Sequence, residues 1–319
     1  MLIAGALAIA LLIGLRYEVG ADWETYKFIF SFAAYDDLFD QLKKGEPGYQ
    51  LINWTVNRLG AGIWLVNLIC GAIFAWGLHR FARAQPDPWL AYAIAIPYLV
   101  IVVGMGYSRQ AIALGILMAG LASFERGASV LRFAGYVAIA ALFHKTAVVA
   151  LPLVIFASER NRLLNVIAGL ALSVLFYDLF LSESVDNYVK NYVGAKYNSQ
   201  GAAIRVVMNL LPATLMLALG RRLGFPPHEE RVWRAFSFAA LGLLVLLLVS
   251  PSSTAVDRMA LYIIPLQIAV LSRAYLLFRG EKAGKLVILG YAFAIQFTWL
   301  NFAAHARYWV PYQFYPVTG

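Results

Sequence analysis

Charge is what this sequence has least of. Only 13% of its 319 residues are Asp, Glu, Lys or Arg, while 61% are hydrophobic, which leaves too little polar surface to coat a water-soluble globule of this size. A soluble protein is thereby excluded. The single cysteine, Cys70, permits no internal disulfide and reads as a packing residue within an apolar run. There is no His-Glu-x-x-His, no cysteine cluster, no Walker loop and no Gly-x-Gly-x-x-Gly, so zinc proteolysis and ATP hydrolysis lack their signatures. No metal or cofactor is expected. The formal charge of +9 would suit nucleic acid if it formed one face, but the basic residues are scattered between apolar runs.

Apolar runs rich in Leu, Ala, Ile and Gly dominate instead, and they suit membrane-spanning helices better than the short alternating segments of a barrel. With Pro, Gly and charge as punctuation, about eleven spans are expected, near 2–15, 61–78, 88–106, 110–124, 130–143, 146–158, 163–181, 204–220, 235–250, 259–277 and 285–303. Pro97, Pro152, Pro212 and Pro265 are expected to kink theirs. Met1–Leu15 lacks the basic flank of a signal peptide and reads as a short first span. The chain reads as one all-α, polytopic transmembrane domain over 1–319, without repeat or linker.

Sidedness follows from the short connections. Fourteen Lys and Arg fall on one set, from Arg80 and Arg83 to Lys282 and Lys285, against Arg109, Lys145 and Arg258 on the alternate set. The first set is therefore expected to be cytoplasmic, with the N-terminus inside and the C-terminus on the periplasmic or extracellular side. Two longer segments, near 16–60 and 182–203, then lie on the outer face. So do the ends that carry Arg16, Asp22, Glu46, Arg109, His144, Arg205, Arg258, His305 and Arg307.

Ionisable groups near membrane depth are costly and mark candidate sites. Arg16 leaves the first span, followed by Gly20 and Asp22, a cluster able to bind phosphate and set a base beside it; the same residues also suit an interfacial anchor with Tyr17, Trp23 and Tyr26. Pro47-Gly48 makes a turn that can aim Glu46 at the bundle. Arg109 and His144 stand at outer turns, the histidine either a base or a satisfied interfacial residue. Asp257 can orient Arg258 toward phosphate, or simply pair with it. Tyr188, Tyr192 and Tyr197, with neighbouring asparagines, suit sugar rings.

The ordered set Arg16…Gly20-x-Asp22…Tyr26, Glu46-Pro-Gly-Tyr49, Arg109-Gln-Ala-Ile-Ala, His144-Lys-Thr-Ala, Asp257-Arg258-x-x-x-Tyr262 and Trp309-x-Pro-Tyr312 resembles the EpsG family of Wzy-like polysaccharide polymerases over nearly the whole chain. Lys145 departs from the Ser often found after the histidine in that family. The resemblance implies a GT-C-like glycosyltransferase of the bacterial cytoplasmic (inner) membrane, acting in exopolysaccharide, capsule or O-antigen assembly. It would join undecaprenyl-pyrophosphate-linked oligosaccharides at the outer face, with a flippase and a chain-length regulator as candidate partners. On that reading Arg16, Arg109 and Arg258 clamp the leaving pyrophosphate. Asp22, Glu46 and His144 are the candidate bases, Asp22 foremost, and Tyr26 and Tyr49 join the glycan contacts. The alternatives are a transporter or flippase of lipid-linked glycans and an O-antigen-ligase-like transferase.

Overall fold

The computed structural model describes residues 1–127, 129–157, 201–250 and 253–319, together with residues 167, 171, 174 and 199. Among these residues the chain is helical throughout, and its one β contact is an isolated antiparallel bridge between Arg16 and Phe314. Helix α1 (Leu2–Gly14) is followed by three short helices, α2 (Trp23–Phe32), α3 (Leu38–Lys43) and α4 (Pro47–Arg58). Next come α5 (Ile63–Ala82), α6 (Pro88–Ala95), α7 (Ser108–Glu125), α8 (Val130–Ala141) and α9 (Ala150–Ala157). The described part of the second half holds α10 (Ala202–Leu219), α11 (Pro227–Val249), α12 (Ser253–Leu261), α13 (Pro265–Leu271), α14 (Glu281–Phe302) and α15 (Tyr315–Thr318).

Helical segments stand at every expected span that falls within the described residues; the one near 163–181 lies outside them. Among the described residues four helices are long and apolar enough to cross a membrane, Ile63–Ala82, Ala202–Arg222, Pro227–Val249 and Glu281–Phe302, or five if α12 and α13 form one broken span. Leu248, Phe293 and Leu286 on two of them are 76%, 70% and 68% exposed, a surface that hydrocarbon solvates and water does not.

Proline chemistry explains where the helices depart from simple rods. The stretch expected as one span near 259–277 is bent by 47° between α12 and α13, where Pro265 supplies no N–H and opens the second helix at its first turn. Pro97 sits in a π-helical continuation of α6, Ile96–Gly104, the wider turn relieving the clash of its ring with the preceding carbonyl. Pro212 by contrast lies inside the unbroken α10. Asp87 starts α6 by accepting from the backbone N–H groups of Trp89 (3.1 Å) and Leu90 (3.0 Å), ahead of Pro88.

Helix α5 is the centre of the first half, packed between α1 and α7. Small residues let the backbones meet: a Cβ on Gly77 would lie 1.8 Å from the Gly115 carbonyl oxygen. The C-terminal segment folds back over the end of α1, with Tyr17 N–H donating to Gln313 O (2.9 Å), Gly20 N–H to Tyr308 O (2.8 Å) and Tyr315 N–H to Leu15 O (2.8 Å). Trp309 anchors this strap, its indole N–H donating to Ile101 O at 2.8 Å.

The Gly77 contact generates a stability test. Gly77→Ala forces α5 from α7 and is expected to cost about 1–3 kcal/mol, the usual range for overpacking. Gly135→Ala, with nothing within 4 Å of the added carbon, should leave the melting temperature of the solubilised protein unchanged or slightly raised. Equal melting of both variants would refute the close α5–α7 approach.

Candidate active site

Six segments bring polar side chains together at one end of the bundle. The turn before α2 contributes Asp22, α2 itself Tyr26, the start of α7 Arg109 and Gln110, the turn after α8 His144, the start of α10 Arg205, and the second half of α12 Asp257 and Arg258. With Tyr107, Ser199 and Thr254 they line a cavity of ≈ 240 Å³. Gly20 makes the first of these placements: its φ of +108° is open to glycine, and a Cβ there would meet Met105 O at 2.7 Å.

Each guanidinium in the cavity wall has a distinct environment. Arg109 Nη1 donates to Glu46 Oε2 at 2.6 Å while its plane lies 5.9 Å from the Tyr26 ring centroid. Arg205, 6% exposed, donates to Asp257, to the Tyr98 hydroxyl and to the Tyr107 hydroxyl, the last at 3.0 Å. Ser199 Oγ adds a bond to Asp257 Oδ2 at 2.7 Å. Arg258 lines the cavity beside them. Two buried polar atoms in this wall, Arg109 Nε and Asp257 Oδ1, have no hydrogen-bond partner among the described residues. Left dry and unpaired, each would cost about 1–3 kcal/mol, so the wall suits a polar ligand or water.

The three candidate bases separate clearly. Asp22 is half-buried at the cavity, and among the described residues its carboxylate accepts no hydrogen bond. Burial pushes that carboxyl up from the ordinary aspartate range, with Arg109, Arg258 and Arg205 pulling the other way. His144 is held at both ring nitrogens, Nε2 lying 3.1 Å from Gln110 Nε2 and Nδ1 3.0 Å from the Tyr262 hydroxyl. Burial first, then the charges of Arg258 and Arg109, lower its basicity and keep the imidazole neutral. Glu46 faces Arg109 and stands behind the cavity wall.

Arg16 is not in the cavity. It is 1% exposed, and its guanidinium donates to Ile13 O (2.6 Å), Val19 O (3.3 Å), Asn67 Oδ1 (3.0 Å) and Ser108 Oγ (2.8 Å). The expected pyrophosphate contact is therefore replaced by a positioning role: Arg16 ties α1 and α5 to the first residue of α7, next to Arg109. Tyr49 is likewise buried away from the cavity, edge-on to Tyr26 at 5.5 Å. Tyr188, Tyr192 and Tyr197 lie outside the described residues. Arg307 points away, donating to the Tyr308 hydroxyl on the surface. Arg205, which had no assigned role, is the addition. Its signal in the sequence is an arginine three residues into an apolar helix.

A family model described as the EpsG family matches residues 1–314. The chain belongs to the EpsG family. This is a family of polysaccharide-polymerase-like membrane proteins associated with glycosyltransferase-like activity. No match was found among curated proteins or solved structures. The match takes in every described segment that builds the cavity.

Arg16 and Asp22 should part company in a melting experiment on this EpsG-family protein. Arg16→Ala strands buried acceptors worth about 1–3 kcal/mol each and is expected to lower the melting temperature by several degrees. Asp22→Asn breaks no hydrogen bond and should leave it unchanged within error. Equal shifts would return Arg16 to the cavity.

Proposed function

We propose that the protein is a polysaccharide polymerase that joins undecaprenyl-pyrophosphate-linked oligosaccharide repeat units on the outer face of the bacterial cytoplasmic membrane. The observation that carries this reading is the convergence of Arg109, Arg205 and Arg258 on one cavity with Asp22, a carboxylate that no donor among the described residues engages. An acceptor hydroxyl oxygen attacks the anomeric carbon, the bond from that carbon to the pyrophosphate oxygen breaks, and the hydroxyl proton passes to Asp22. Negative charge grows on the leaving pyrophosphate, and fixed guanidinium groups in a low-dielectric wall stabilise it as it forms. Arg109 and Arg258 share the cavity wall with Asp22, and Arg205 beside them is tied to Asp257.

A lipid-linked donor fits what adjoins the cavity. An apolar groove of ≈ 340 Å³ runs between α10 and α14, lined by Ile204, Met208, Trp299 and Phe302 among others. Tyr98 belongs to this groove and bonds Arg205 with its hydroxyl, so the groove begins where the polar cavity ends. An isoprenoid chain in the groove would leave its pyrophosphate at the arginines. The eleven-span topology, with N-terminus inside and the cavity outside, follows from the basic connections at the other end. A GT-C-like arrangement belongs to the same proposal.

Orientation is tested by labelling in a Cys70→Ser background. A cysteine at exposed Thr25 should react with an impermeant reagent in intact cells and one at exposed Lys282 should not; the reverse pattern inverts the assignment. For the chemistry, Asp22→Asn is expected to accumulate single lipid-linked repeats on the outer leaflet, with polymerisation slowed ~10²- to 10⁴-fold. Units stranded on the inner leaflet would indicate a transporter instead. Because Asp22 must be ionised to accept a proton, the rate in proteoliposomes should fall on its acid side at a higher pH than a solvated aspartate would give. Arg258→Gln, which removes a charge that pulls this carboxyl down, should move that limb further up. A limb that stays put removes Asp22 from the role of base.

A further inference from the structure

The end of the bundle opposite the polar cavity carries a second concentration of arginine. Helix α7 starts beside the cavity at Ser108 and ends 17 residues later at Glu125, so its far end lies ~25 Å away. There the ends of α5 and α7 and the start of α8 enclose two adjoining cavities of ≈ 370 and ≈ 420 Å³. Arg80 and Arg126 line both; Arg132 lines the first, and Arg83, His79 and Trp76 the second.

Two features together mark this cluster. The first is four arginines around shared cavities with no carboxylate of the described residues among them. Elsewhere Arg109, Arg205, Arg234, Arg273 and Lys285 each meet a carboxylate, whereas among the described residues Arg80, Arg83, Arg126 and Arg132 meet none within salt-bridge distance. Glu125, the adjacent acid, is turned to the indole N–H of Trp233 at 3.2 Å. The second is depth. Trp76 is 43% exposed on α5, one turn before Arg80, whose guanidinium lies 5.4 Å from its ring centroid. An exposed tryptophan next to arginine at the end of an apolar helix is characteristic of the bilayer interface. Guanidinium groups are weakly hydrated forks matched to phosphate oxygens, and like charges gathered without acids favour an anion between them.

We propose that these paired cavities bind the phosphodiester headgroup of an anionic phospholipid from the adjacent leaflet, with Arg80 and Arg126 reaching the phosphate from both sides. Arg83 and Arg132 flank it, and Trp76 lies against the glycerol and upper acyl region. The site is independent of the polymerase reading, since it lies at the other end of α7 and shares no residue with the polar cavity. Basic connections alone account for sidedness, but they do not require that the arginines share cavities.

The test uses the full-length protein in neutral detergent, titrated with phosphatidylglycerol, cardiolipin or phosphatidylcholine and read by native mass spectrometry and by thermal shift. Phosphatidylglycerol and cardiolipin should bind more tightly than phosphatidylcholine, and Arg80→Gln/Arg126→Gln should lose about thirtyfold in affinity for the anionic lipids. The control is Arg221→Gln/Arg222→Gln, an exposed pair beyond the far end of α10, which should bind as the wild type does. Arg132→Gln, at an exposed position, gives a milder loss and serves if the double variant does not fold. Equal binding of all three lipids overturns the proposal, as does an equal loss in the Arg221/Arg222 control. Stabilisation by inorganic phosphate alone, with no preference among lipids, would make this a soluble-anion site and equally overturn the lipid assignment.

Discussion

Burying a guanidinium in an apolar bundle is costly, and the arrangement around the polar cavity follows from meeting that cost three times. Arg16 and Arg205 each draw acceptors from several helices and Arg109 draws one from Glu46, so satisfying them fixes how those helices meet. Arg205 joins α10 to α12 through Asp257, to the π-helical stretch through Tyr98 and to the entry of α7 through Tyr107. Arg16 joins α1, α5 and α7, and Arg109 joins α7 to the start of α4 through Glu46. Removing a partner from such a set leaves a buried charge uncompensated, so the cavity wall and the helix packing stand or fall together.

That coupling also sorts the chemistry. A carboxylate already gripped by an arginine, as Glu46 is, holds its guanidinium in place. A histidine engaged at both nitrogens, as His144 is, holds Gln110 and Tyr262 in register. Asp22 lines the same cavity, and no hydrogen bond from the described residues holds its carboxylate oxygens. Among the described residues the wall thus combines groups tied to one another with a carboxylate that is not, the arrangement on which the proposed polymerase chemistry rests.

The two ends of the bundle treat arginine in opposite ways. At the cavity end the guanidiniums of Arg109 and Arg205 have carboxylates. At the other end Arg273 pairs with Glu229, while Arg80, Arg83, Arg126 and Arg132 line cavities in which no carboxylate of the described residues takes part. Pairing fixes the first set in place, whereas the second set has no such carboxylate tie among the described residues.

Composition and hydropathy pattern by themselves determined that the protein is a helical membrane protein. They also located its helices, because an apolar run is read one residue at a time and needs no partner. They picked out Asp22, Arg109, His144 and Arg258, since an ionisable group against an apolar background is conspicuous wherever the chain later takes it. The ordered motifs around those residues carried the family. Only the tertiary structure decided what each charge does. Arg16 and Arg258 look alike in sequence, yet one is enclosed by the acceptors of Ile13, Val19, Asn67 and Ser108 and the other lines the cavity. The break at Pro265, the pairing of Glu46 with Arg109 across 63 residues, and the meeting of Arg205 with Asp257 depend on contacts between distant segments. A hydrogen bond is a relation between two positions, and no single stretch of the chain contains it.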